Sequence, residues 1–282
     1  MNPRMLYPES LADACALLSQ DEDALVYGGG TALQILRKQG ILSASSFVDI
    51  SEIPGLNELH HTGNELLVGP MVSIRRMETD PVVRQSVPIA SAAYAKVANP
   101  RVRNTATVGG NIAHGDYRLD PPVALLVLGA TIKATSTAGT RAIPIDKFFI
   151  DFQLTALNRG EIVTSIEIPI SNDIVASTFV KFSSLSANDW PSASAAAAIF
   201  ARDGEAQILR LALGALAPTP VMTAVDITGM REAQATEAVV ERAMLIMDPL
   251  PDVRGGVEYK RNLGRIAVED AVRNLWRDRQ SV

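Results

Sequence analysis

The spacing of apolar residues changes several times along the chain. Over residues 10–19, Leu11, Ala14, Cys15 and Leu18 recur at three- and four-residue intervals behind Ser10, which predicts a capped amphipathic helix. The apolar run 24–27 (Ala-Leu-Val-Tyr) predicts a strand. Gly28-Gly29-Gly30-Thr31 then forms a turn into a second amphipathic segment over 32–39, and 47–50 predicts another strand. The spacing also predicts a strand at 65–69 and helix over 81–98, opened by Pro81 and interrupted by Pro88. Residues 99–111 read as a loop-rich stretch, 123–128 as an apolar segment, and 131–135 and 161–168 as strands.

Beyond Pro169 the texture differs. Segments 178–182, 193–201 and 207–215 read as sheet, with Asp203-Gly204 as a hairpin turn between the last two. The alanine run 195–198 suits a helix by propensity, but the Asp-Gly signal favours a strand. Helices near 231–247 and 258–278 complete the chain. The layout predicts three parts, 1–55, 56–173 and 174–282: two α/β units, then an α+β unit.

Composition narrows the chemistry. At 282 residues and 47% hydrophobic, the chain can bury a core without disulfides or structural metal. The single cysteine, Cys15, excludes a disulfide framework and an iron–sulfur cluster held by this chain alone. Three histidines, His60, His61 and His114, are badly spaced for a metal cage. A net charge of −5 argues against a nucleic-acid partner. With no apolar run near ~20 residues, a membrane span is not expected, and the polar N-terminal stretch leads to an expected cytoplasmic location.

Two glycine clusters stand about 80 positions apart, Gly28-Gly29-Gly30-Thr31 and Thr107-Val108-Gly109-Gly110-Asn111. Successive main-chain amides in such turns can form an anion nest, and two nests could grip the two phosphates of a dinucleotide without lysines. Two tight turns are the simpler reading. Leu33 stands where a Rossmann fingerprint needs its third glycine, and there is no Gly-Lys-Ser/Thr phosphate loop.

Three stretches together, 27–33 (Tyr-Gly-Gly-Gly-Thr-Ala-Leu), 103–112 with Asp120-Pro121-Pro122, and 161–169, resemble the FAD-binding medium subunit of molybdenum hydroxylases. This group includes xanthine, carbon-monoxide and nicotine dehydrogenases. Lys181-Phe182, Asp189-Trp190 and 258–261 (Glu-Tyr-Lys-Arg) resemble its C-terminal domain, so the resemblance spans essentially the whole chain. It implies an α+β protein: a two-part PCMH-type FAD-binding α/β domain, then a C-terminal α+β domain with a three-stranded antiparallel sheet and helices.

For individual residues, the resemblance implies that Tyr27, Gly28, Gly29, Gly30, Thr31 and Ala32, with Thr107, Val108, Gly109, Gly110 and Asn111, cradle the FAD pyrophosphate and ribitol. It places Asp120 at the cofactor's sugar region; a helix-start carboxylate is the alternative. Val163 would touch the flavin, and Lys181 would stabilise the reduced, anionic ring. Trp190 would stack over or shield that ring. Val97 replaces an aromatic that stacks on adenine in some relatives.

With no His or Cys in residues 27–40, noncovalent FAD is expected. His114 is expected at the surface or in a cap, and Cys15 in the core. The resemblance further implies a large molybdopterin subunit and a small subunit with two 2Fe–2S clusters, in a dimer of heterotrimers. This chain would relay their electrons to a quinone, cytochrome or dye-like acceptor. A stand-alone flavin oxidase and a non-catalytic assembly subunit remain alternatives.

Overall fold

The computed structural model describes residues 3–202 and 206–279. The N-terminal unit comprises β1 (Arg4–Leu6), α1 (Leu11–Gln20), β2 (Ala24–Tyr27), α2 (Leu33–Lys38) and β3 (Ser46–Asp49). Its strands are parallel, in the order β1-β3-β2. Ser10 caps α1 by accepting the Asp13 amide at 3.1 Å. The helix's Ala14, Cys15 and Leu18 pack with Val48, Ile50 and Ile162, so Cys15 is a core residue, as its spacing predicts.

The second unit contains β4 (Leu59–His61), β5 (Glu65–Val68), α3 (Ile74–Thr79), α4 (Pro81–Ser86), α5 (Pro88–Ala95), α6 (Pro100–Thr105), α7 (Val108–His114) and α8 (Pro121–Leu128). After these come β6 (Thr131–Ser136), β7 (Gly139–Pro144), β8 (Phe149–Asp151), β9 (Leu154–Thr155) and β10 (Ile162–Pro169). Five strands form an antiparallel sheet ordered β4-β5-β10-β6-β7, and β8-β9 is a separate hairpin. The stretch predicted as loop over 99–111 instead holds α6 and α7. Asn99 caps the first, its Oδ1 accepting the amides of Arg101 and Val102, and Thr107 caps the second. Both caps stand in the sequence, but helices of six and seven residues, one with two internal glycines, give too little periodicity to reveal themselves.

The C-terminal unit has β11 (Ile174–Phe182), β12 (Ala193–Arg202), β13 (Ala206–Gly214) and β14 (Val221–Asp226), an antiparallel sheet in chain order, then α9 (Glu232–Ile246) and α10 (Val257–Arg279). The sheet has four strands rather than the three expected. β14 is an edge strand whose half-buried Val221, Thr223 and Val225 alternate with exposed Met222, Ala224 and Asp226. The Pro218 and Pro220 just before it suggest a loop and mask that two-residue period. The expected Asp203-Gly204 turn lies outside the described residues.

The alanine run is a strand because both its faces are covered. Ala193, Ala195 and Ala197 face the helices of this unit, while Ala196 and Ala198 face the core of the second unit, where α8 crosses β12 and β13. All eight residues of α8 are buried, as a helix apolar on every side requires. Only small side chains fit so close an approach. Ala198→Leu is therefore expected to overpack this junction and cost about 1–3 kcal/mol, measurable by urea unfolding.

Candidate functional site

A cavity of about 630 Å³ lies where the three units meet. Each wall comes from a different part of the fold. The turn after β2 supplies Gly28–Ala32, and the α6–α7 region supplies Thr107 and Gly109–Asn111. The residues before α8 supply Arg118–Asp120, β10 supplies Ile162 and Val163, and the C-terminal unit supplies Lys181 and Asn188–Trp190. The glycine turn sits at the carboxyl end of a parallel strand, a usual place for ligand crevices in such sheets.

The two glycine clusters are in contact. A Cβ on Gly28 would lie 3.1 Å from Thr107 Oγ1, and one on Gly29 would collide with the Thr105 carbonyl. Gly109 approaches Pro70 so closely that a Cβ would strike its backbone. These three glycines let the loops close on each other. Gly30 has a different reason, a φ of +66°. Gly110 has neither constraint: its residue is exposed, and a Cβ there would meet only Thr107 Oγ1, at 3.0 Å.

The polar groups divide unequally between the clusters. Among the described residues the amides of Gly29, Gly30 and Thr31 have no main-chain acceptor, and all three residues line the cavity. In the second cluster the Val108 amide donates to Val72 O at 2.9 Å, Gly109 to Pro70 O at 2.8 Å and Gly110 to Thr107 Oγ1 at 3.2 Å. The second cluster is thus not the open amide nest that the expectation made of it, because its amides already have acceptors. The second segment is stitched to residues 70–73 and offers side chains instead. Asn111 lines the cavity, and its Oδ1 is buried with no hydrogen-bond partner.

Tyr27 and Val108 do not line the cavity. The Tyr27 ring packs on Phe47 with centroids 5.5 Å apart, and its hydroxyl accepts from Gln34 Nε2. Val108 is fully buried in the second unit's core. Val97 and Val163 both line it.

Asp120 stands at the start of α8, where the helix-start reading puts it, but its side chain accepts no hydrogen bond from the first turn. Its Oδ2 instead accepts from Lys181 Nζ at 2.7 Å, with both side chains about 5% exposed or less. Lys181 also donates to the Lys96 carbonyl at 2.9 Å. Burial pushes the Asp120 carboxyl up to about 7 despite the opposing pull of Lys181. Asp120 Oδ1 is buried and unpartnered. Lys181 Nζ is thus held between the Asp120 carboxyl and the Lys96 carbonyl at the cavity wall.

His114, in the last turn of α7, is half-buried rather than fully at the surface. It lines the cavity with its ring centroid 6.5 Å from that of Trp190, and burial lowers its imidazole pKa. Arg118 lines the same end, its guanidinium carbon 5.0 Å from the Trp190 ring centre. Sequence reasoning passed over Arg118, and no local pattern marks it.

The parts suit a long nucleotide-type ligand. One turn offers amide donors for an anion, Gly110 leaves room where a side chain would intrude, and two buried acceptors await hydroxyl or N–H groups. An aromatic ring closes one end. Fold and cavity together define a nucleotide-cofactor-binding α+β protein. Family comparisons agree: residues 1–171 match the FAD binding domain in molybdopterin dehydrogenase, and residues 178–275 match the CO dehydrogenase flavoprotein C-terminal domain. The chain belongs to this family of FAD-binding flavoproteins and is an oxidoreductase subunit.

It is 31% identical over 265 residues to the nicotine 6-hydroxylase medium subunit of Paenarthrobacter nicotinovorans, covering 92% of each chain. It is 28% identical over 285 residues to the carbon monoxide dehydrogenase medium chain of Hydrogenophaga pseudoflava, covering 97% of this chain and 98% of that one. The solved CO dehydrogenase from Oligotropha carboxidovorans has a chain that superposes with a TM-score of 0.90 at 26% identity, covering 98% of both. No helix among the described residues is long and apolar enough to cross a membrane.

Proposed function

We propose that this chain is the FAD-carrying electron-transfer subunit of a heterotrimeric molybdenum hydroxylase, paired again as a dimer of heterotrimers. It takes electrons from 2Fe–2S clusters on a small partner and passes them to an external acceptor, while a large molybdopterin subunit oxidises the organic substrate. The observation that carries this reading is the meeting of the two glycine segments around one cavity with unpartnered Asn111 and Asp120 oxygens.

When bound, FAD supplies a ring that can exchange electrons singly or in pairs. The chain's own residues hold it. The amides of Gly29–Thr31 suit the diphosphate, and Gly110 leaves the space beside it open. Asn111 and Asp120 accept hydrogen bonds from the sugar and ribitol side. Val163 and Trp190 exclude water around the ring, and Val97 leaves the adenine end without a stacking partner.

The test is the composition of the native complex, co-purified through this subunit. One FAD per copy of this chain is expected, with iron and molybdenum in the accompanying subunits. A complex holding metal but no flavin, or steady oxidation of an organic substrate by this chain alone, would defeat the proposal.

A further inference from the structure

Trp190 stands on the connection between β11 and β12, whose residues 184–188 are exposed. A large ring on such a loop has many rotamers open to it. Here it is restrained on two sides. The Arg118 guanidinium carbon lies 5.0 Å from the centre of the Trp190 ring, 5.1 Å from that of Tyr117 and 6.0 Å from that of Phe152, all within the ~6 Å reach of a cation–π contact. Arg118 is itself clamped: its Nε and Nη2 donate to the two oxygens of Asp116 at 2.9 and 2.6 Å, and the Asp116 side chain is 1% exposed. The neighbouring Asp189 accepts two bonds from Arg254, at 2.9 and 2.8 Å.

Behind this pair lies a charge-matched cluster. Asp252 accepts from the Tyr117 hydroxyl at 3.2 Å, from the Arg254 amide at 2.8 Å and from fully buried Lys260 at 2.9 Å. Asp116, Asp189 and Asp252 thus face Arg118, Arg254 and Lys260. They arrive from the residues before α8, the β11–β12 connection, the turn before α10, and α10 itself. Cluster members with a missing partner would be costly, so the arrangement is self-locking.

We propose that Arg118 is a positioning residue: clamped by Asp116, it sets the plane of Trp190 at the cavity wall before a ligand arrives. A ring already in place spares the ligand the entropy of ordering it. Arginine suits this task because its flat guanidinium can pair with a carboxylate in its plane and stack on rings across its faces, which an ammonium cannot do. The ligand, FAD, rests on the proposed function. The placement of the ring does not.

The test uses the full chain labelled with 5-fluorotryptophan. Its two tryptophans are Trp190 and Trp276, and Trp190→Phe assigns the two fluorine signals. In ligand-free Arg118→Lys, which keeps the charge beside Asp116, the Trp190 signal is expected to shift and broaden while that of Trp276 stays. FAD should bind about tenfold more weakly, equivalent to about 1.4 kcal/mol. In a Trp190→Leu background the same Arg118→Lys change should alter FAD affinity less than about twofold.

An unmoved Trp190 signal, or an equal loss of affinity without Trp190, overturns the proposal. Should Arg118→Lys fold poorly, the Asp116→Asn/Arg118→Gln pair removes both charges and is read the same way. If the unsubstituted complex takes up no FAD, the functional reading fails by itself, and the fluorine signals of the ligand-free chain still decide the positioning role.

Discussion

Gly110→Val is expected to leave the chain folded and strip it of flavin. Gly110 is the third residue of α7, it is exposed, and a Cβ there meets only Thr107 Oγ1. Two added methyl groups would project into the space the cofactor needs. A loss of about a hundredfold or more in FAD affinity follows if that displaces even two good contacts, about 2.7 kcal/mol. Helix propensity does not oppose the change, because valine costs no more than glycine in a helix. The melting temperature should stay within about 3 °C of the unsubstituted chain.

The neighbouring glycines make the control. Gly109→Ala and Gly29→Ala add only one carbon, but each would strike main chain, Pro70 and Thr105 respectively. The loops must then part, and stability should fall by about 1–3 kcal/mol. Flavin absorbance per chain and thermal unfolding, taken on all three variants, separate the two kinds of glycine. A Gly110→Val protein that keeps its full flavin content would mean the cofactor does not pass this point.

The contrast shows what the sequence could reveal. The strands around the first glycine turn are legible because each is a short apolar run with a clear boundary, and Ser10 marks its helix unambiguously. Two glycine clusters could be singled out, but not the separate reason for each glycine. That depends on which backbone lies opposite, and Thr105 is 76 positions from Gly29. Asp120 and Lys181 are 61 apart, and Arg118 and Trp190 are 72 apart. No periodicity connects such pairs, because they meet only through the docking of the C-terminal sheet on α8. The amides of α7 were misread for the same reason: their acceptors, the carbonyls of Pro70 and Val72, belong to a segment with no motif of its own.

Removing Lys181 should destabilise the protein in a strongly pH-dependent way. Asp120 is pushed by burial from the ordinary 3.8 to about 7, so between those values the folded chain binds more proton than the unfolded one. Stability from this group is therefore fully present below about pH 4 and declines as pH rises toward 7, flattening above it. Asp120→Asn cannot titrate, so its stability profile should lack that decline.

Lys181→Met removes the cation bonded to the carboxylate. At pH 8 the carboxylate loses its partner and must stay charged in the interior or take up a proton against the pH, and up to about 3–5 kcal/mol should be lost. At pH 5 the carboxyl takes up a proton instead, and the loss should shrink to about 1 kcal/mol, one hydrogen bond. The Asp120→Asn/Lys181→Met pair, with neither charge, should recover most of the pH 8 loss. Urea unfolding of the four proteins at both pH values measures every term. Equal losses for Lys181→Met at pH 5 and pH 8 would show that Asp120 is not the group whose charge Lys181 answers. The cavity wall would then owe its electrostatics to some other pairing.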